Sequence, residues 1–93
     1  MTFGQAIDAM KNGKKVSRSG WNGKGMWIAL TAGHTMLPND SPGSAANIAF
    51  VRSNGGFAEV LPYITMKTAD NKILVGWLAS QSDILAEDWD VVN

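Results

Sequence analysis

The sequence predicts an α+β fold: a small antiparallel sheet of about five strands, one N-terminal helix packed on it, and a short helical turn before the last strand. Three observations carry that prediction. A capping box near residue 2 is followed by apolar residues at helical spacing. Later segments alternate apolar and polar residues with period two. The junctions between them hold Gly, Asn and Asp, which suit turn geometry.

The helix comes first. In Thr2-Phe3-Gly4-Gln5 the threonine caps and the glutamine, three residues on, reaches back. Phe3, Ala6, Ile7 and Met10 then fall on one helical face, and Asn12-Gly13 ends the pattern, with glycine where a left-handed cap is needed. Lys14 to Ser17 reads as a short strand with Val16 inward. Met26 to Thr31 reads as a second strand, with Trp27, Ala29 and Thr31 on one face and Met26, Ile28 and Leu30 on the other.

Ala32 to Ala58 loses all periodicity. It holds four of the ten glycines, with Pro38 and Pro42, and reads as a long loop containing a short helix near Ser44 to Val51. Val60 to Thr68 returns to a strand pattern, Ala69-Asp70-Asn71-Lys72 is a turn, and Ile73 to Leu78 is the return strand. Ser80-Gln81-Ser82-Asp83 offers helix caps, Ile84 to Glu87 supplies about one turn, and Trp89 to Val92 closes the chain as a strand. Residues 1–93 read as a single domain, with 32–58 as a long loop within it.

Bulk properties narrow the function. A chain of 93 residues buries only roughly 60–65% of the surface its unfolded form exposes, so self-association is an expected source of stability. Charged residues are 17% of the chain, against an ordinary ~25%, which leaves surface that suits another subunit. Formal net charge is zero, which argues against DNA or RNA as a partner, because such binding relies on many Lys and Arg contacts to phosphate. There is no cysteine, hence no disulfide and no thiol nucleophile. No run approaches the ~20 apolar residues of a membrane span, and the N-terminus lacks a signal peptide's order, so a soluble intracellular protein is expected.

Catalytic chemistry finds little support. The only histidine, His34, lies in the aperiodic segment with no hydroxyl in a recognisable nucleophile elbow beside it. Glu87, Asp88 and Asp90 cluster without a histidine near them in sequence, which reads as a solvated turn more readily than as a metal site. No catalytic residue, metal or cofactor is expected.

Binding chemistry finds more. Gly20, Gly23 and Gly25 bracket Trp21, Asn22 and Lys24. Glycine lets a ligand approach bare backbone, and successive N–H groups can cradle an anion. Arg18 and Lys24 bring positive charge, and Trp21 offers a surface on which a base can stack, worth ~1–3 kcal/mol. The spacing is not that of a phosphate-binding Walker loop. The alternative reading is a tight turn with Trp21 as core. Gly76-Trp77-Leu78-Ala79-Ser80-Gln81-Ser82-Asp83 repeats the composition at a helix start, where Asp83 serves either a ligand or simply the cap. Trp27 and Trp89 read as core or subunit interface.

Four segments together resemble one family: Met1-Thr2-Phe3-Gly4-Gln5-Ala6, Gly20-Trp21-Asn22-Gly23-Lys24-Gly25-Met26, Tyr63-Ile64-Thr65-Met66-Lys67-Thr68-Ala69-Asp70, and Gly76-Trp77-Leu78-Ala79-Ser80-Gln81-Ser82-Asp83 through Ala86-Glu87-Asp88-Trp89. It is the phage-encoded Thoeris anti-defence family of the second type. The likeness covers both ends of the chain and leaves out Ala32 to Ala58.

The resemblance implies a sponge and not an enzyme: a small α+β chain, homotetrameric, that acts in the cytoplasm of the infected bacterium. Such a protein holds a cyclic ADP-ribose isomer made by TIR-domain sensors and so keeps the Thoeris effector silent. The implied range extends to other cyclic nucleotide signals. On this reading Trp21 and Trp77 wall the adenine. The amides of Asn22, Gly23, Lys24 and Gly25, with the Lys24 and Arg18 side chains, hold the pyrophosphate. Ser80, Gln81, Asp83 and Asp88 meet ribose hydroxyls or the base edge. Two other classes stay open, a protein-interaction module and a small nucleotide hydrolase.

Overall fold

The structure, a computed structural model, describes residues 1–40 and 44–93. In chain order the elements are α1 (Phe3–Lys11), β1 (Lys15–Arg18), β2 (Trp27–Thr31), β3 (His34–Met36), α2 (Ala45–Ser53), β4 (Ala58–Val60), β5 (Tyr63–Lys67), β6 (Ile73–Val75), α3 (Gln81–Leu85) and β7 (Trp89–Val92). They form two compact units, Met1–Thr31 with Tyr63–Asn93, and Ala32–Pro62.

The first unit is the α+β body that the sequence predicts. Its five strands run in the order β6-β5-β2-β1-β7 and every neighbouring pair is antiparallel. Register places Val16 opposite Ile28, and Ile28 opposite Met66. Because side chains alternate across a strand, these three share one face. α1 covers that face, bringing Ala6 and Met10 onto Val16, Ile28 and Met66, with Trp89 closing the cluster. The helix starts where the capping box demands: the Gln5 N–H donates to Thr2 Oγ1 at 3.2 Å and the Thr2 N–H donates to Gln5 Oε1 at 2.9 Å. It ends at Asn12, followed by Gly13 in the left-handed region at φ 83°.

Element edges differ from the sequence reading for identifiable reasons. β1 and β2 each begin one residue later than expected. The strand expected over Val60 to Thr68 is two strands, β4 and β5, parted at Leu61-Pro62, because proline brings no ladder donor. β6 stops at Val75, where Gly76 turns the chain at φ 86°. The helical turn lies earlier than expected, over Gln81–Leu85, because Ser80 and not Asp83 is the cap.

The second unit corrects the expectation of a long loop over residues 32–58, of which residues 41–43 lie outside the described residues. β3 and β4 pair antiparallel, with Thr35 opposite Glu59. The Thr35 hydroxyl donates to Glu59 Oε1 at 2.9 Å. α2 is capped by Ser44, whose Oγ accepts from the Asn47 N–H at 3.2 Å, so the helix near Ser44 to Val51 is present and runs two residues further. Met36 and Val51 are buried. Gly33 has no room for a side chain: a Cβ there meets the Val60 carbonyl oxygen, with Pro62 Cδ at 3.2 Å. His34 opens β3 and is exposed.

Candidate functional site

Three tryptophans from distant parts of the first unit converge. Trp21 follows the β1 end, Trp77 precedes α3, and Trp89 opens β7. Trp21 meets Trp89 edge to face, with ring centroids 5.3 Å apart at 82°. Trp77 meets Trp89 at 6.3 Å and 85°, and Trp21 at 6.3 Å and 64°. Phe3 of α1 completes the group, 5.3 Å from Trp89. Edge-to-face pairs set the positive rim of one ring against the negative face of another. Trp89 is buried at 1% exposure, whereas Trp21 and Trp77 are half-buried. Trp89 is therefore core. Trp27, on the middle strand, is half-buried with the Lys15 ammonium 5.2 Å from its ring centroid.

A polar network fixes these rings. The Asp83 carboxylate is the hub: Oδ1 accepts from the Trp21 indole N–H at 3.0 Å and from Arg18 Nη1 at 2.8 Å. Oδ2 accepts from the Ser80 N–H at 3.1 Å and the Ser80 hydroxyl at 2.9 Å. The Asp83 carbonyl accepts from the Trp89 indole N–H at 2.9 Å. One residue thus closes the capping box that Ser80 opens and orients two indoles. Burial pushes the Asp83 carboxyl up, but the bonds from Trp21, Arg18 and Ser80 outweigh it and hold it down at about 2.

Asp88 is the second anchor. Its Oδ1 accepts from Arg18 Nε at 2.8 Å, and its Oδ2 from the Gly20 N–H at 2.7 Å and the Ser19 hydroxyl at 3.3 Å. The Arg18 bond, followed by the Gly20 N–H against an opposing burial effect, lowers the Asp88 carboxyl below its ordinary value. Arg18 in turn is raised by Asp88 first and Asp83 second, so it stays charged. A Cβ on Gly20 would lie 2.7 Å from Asp88 Oδ2, so this glycine lets the carboxylate close on the backbone.

The structure brings Arg18, Trp21, Trp77, Ser80, Asp83 and Asp88 into this one network. Asn22, Gly23, Lys24 and Gly25 continue from Trp21 as an irregular loop, with Asn22, Lys24 and Gly25 exposed and Gly25 at φ 73°. Among the described residues, no backbone bond of that loop uses the N–H groups of residues 22–25. Gln81 begins α3, exposed beside the cap. Arg18, Asp83 and Asp88 bind one another, so much of their bonding capacity is already spent; neither Arg18 bond uses Nη2.

Sequence reasoning missed Lys67 and Ser19. The Lys67 ammonium donates to the Gly25 carbonyl at 3.1 Å and adds a second cation to the glycine loop. Its only sequence signal was its strand position, one register step from the turn. Among the described residues, no group of three or more His, Asp or Glu side chains is arranged to hold a metal ion.

The fold and this arrangement define a class: small α+β proteins in which a tryptophan cluster and an ion-paired hub sit against a glycine-rich loop. Comparison with known proteins gives the family. Residues 1–92 match the family model described as Tad2-like, the Thoeris anti-defense 2-like domain. The chain is 40% identical to Thoeris anti-defense 2 of Bacillus phage SP01, in an alignment of 99 positions covering 100% of this chain and 96% of that protein. The chain belongs to the Thoeris anti-defense 2-like family. No helix among the described residues is long and apolar enough to cross a membrane.

Proposed function

We propose that this protein blocks Thoeris immunity as a sponge. It captures a cyclic ADP-ribose isomer made by TIR-domain proteins in the cytoplasm of the infected cell and holds it uncleaved. The observation that carries the reading is the half-buried Trp21–Trp77 pair beside a loop with unspent amides. Family membership supports the anti-defence role.

In this reading Trp21 and Trp77 wall the adenine. The amides of residues 22–25 and the Lys24 ammonium hold the pyrophosphate, with Lys67 near. Ser80 and Gln81 meet ribose hydroxyls. Arg18, Asp83 and Asp88 keep the walls rigid and reach the ligand through the groups their mutual bonds leave over. Preorganisation of this kind converts contact into affinity, because little freedom is lost when the ligand arrives. Nanomolar capture corresponds to about −12 kcal/mol. Stacking at ~1–3 kcal/mol per base and charge-assisted bonds at ~1.5–3 kcal/mol each account for a useful share of it. A subunit this small leaves a dinucleotide-sized ligand partly open, so the reading includes a homo-oligomer, as a tetramer, that encloses it.

The test is capture followed by heating. Purified protein is mixed with the TIR-generated signal, and free signal is assayed before and after thermal denaturation. The sponge reading expects loss, then recovery of intact signal. Loss without recovery makes the protein an enzyme, and no loss leaves a protein-partner role.

A further inference from the structure

The two outer strands of the five-stranded sheet are finished differently. β7 carries the exposed Asp90, whose Oδ1 accepts from the Val91 N–H at 2.8 Å. That strand is guarded by a charge and by a side chain that occupies its own backbone donor, the usual defence against strand addition. β6 has neither. Ile73, Leu74 and Val75 are exposed at 60%, 48% and 67%, with no charge, proline or bulge among them, and Leu78 just beyond is exposed at 92%.

The ladder on β5 sets which backbone groups of β6 face outward. The Thr68 N–H donates to the Lys72 carbonyl at 2.8 Å and the Gly76 N–H to the Ile64 carbonyl at 3.0 Å. Lys72 and Gly76 therefore turn their polar groups toward β5. With alternation of period two, so does Leu74, opposite Met66. The N–H and C=O groups of Ile73 and Val75 point away from the sheet.

We infer that β6 pairs antiparallel with β6 of a second copy about a two-fold axis through Leu74. In that register Ile73 lies opposite Val75 of the other copy, and Leu74 opposite its own counterpart. Ile73 and Val75 form hydrogen-bonded pairs, which satisfies every outward donor and acceptor of both residues. No other centre does this, because a dyad on Ile73 or Val75 would leave the other without its mate. Opposed side chains share a face, so apolar meets apolar on both sides of the joined sheet. The exposed Ile73, Leu74 and Val75 of each copy lose part of their open surface on pairing, and the two reciprocal Ile73–Val75 pairs complete the ladder across the dyad. This deepens the oligomer part of the proposed reading, and its test involves no messenger, so either can fail alone.

The chain has no cysteine, which makes a register test clean. Non-hydrogen-bonded antiparallel partners have Cα atoms about 4.5 Å apart, within disulfide reach. Leu74→Cys is therefore expected to form a covalent dimer under mild oxidation at least tenfold faster than Val75→Cys, whose counterpart lies across the dyad. Val75→Lys, at a site already open to solvent, is expected to lower the mass measured by light scattering, with unchanged circular dichroism. Equal crosslinking at both positions, or an unchanged mass for Val75→Lys, would overturn the proposal. So would a wild-type chain that is monomeric at every concentration.

Discussion

The Trp21 indole N–H donates to Asp83 Oδ1 at 3.0 Å, although the two residues are 62 positions apart. The ring that starts the glycine loop is thereby tied to the cap of α3. Through the Asp83 carbonyl the same residue holds Trp89. Position of the aromatic wall and integrity of the cap are one property.

Asp83→Ala should therefore destabilise the fold by roughly 2–4 kcal/mol, since it strips partners from Arg18, from the Trp21 indole and from Ser80 at once. Urea denaturation followed by tryptophan fluorescence measures it. A loss below about 0.5 kcal/mol would mean the hub is ornamental.

The same carboxylate predicts a pH dependence. Its folded-state value, about 2, lies below the ~3.9 of an unfolded chain. A group depressed on folding stabilises the folded state above the unfolded value and loses that contribution as pH falls toward the folded one. Stability should drop between about pH 4 and pH 2, with Asp88 contributing in the same direction. In Asp83→Asn the drop should be shallower, read as urea midpoints across that range.

Gly20→Ala should cost about 1–3 kcal/mol, because its Cβ would press on Asp88 Oδ2 while Arg18 holds that carboxylate in place. Thermal melts of this variant and of Gly4→Ala, which meets only Thr2 Oγ1 at 3.9 Å, separate crowding from a general effect of alanine.

Trp89→Ala should cost roughly 3–5 kcal/mol, as expected for emptying a buried indole site. It also frees Phe3 and both half-buried tryptophans from their shared neighbour. A loss of near-ultraviolet circular dichroism larger than one indole accounts for is the expected signature.

Much of the first unit was legible because its signals are local. Thr2 and Gln5 announce α1 within one turn, and Asp70-Asn71 announces the β5–β6 hairpin, with Asn71 at φ 63° as such a turn requires. The second unit was not, because β3 and β4 have three residues each, too few to display alternation. α2 turns only Ile48 and Val51 inward, too little for a helical stripe. Sequence reasoning found the glycine loop and both half-buried indoles through composition. It could not see that Arg18 closes on Asp83 and Asp88, 65 and 70 residues away, since no local pattern encodes pairing at that distance. Lys67 was hidden for the same reason.

Replacing the aromatic wall tests the central claim most directly. Calorimetric titration of the cyclic ADP-ribose isomer into wild type, Trp21→Phe and Trp21→Ala compares a full wall, a ring without its N–H and no ring. The account predicts that Trp21→Phe binds within about tenfold of wild type, while Trp21→Ala loses at least tenfold, in line with ~1–3 kcal/mol per stacked base, and keeps its oligomeric mass. Equal affinity of Trp21→Ala and wild type would contradict it.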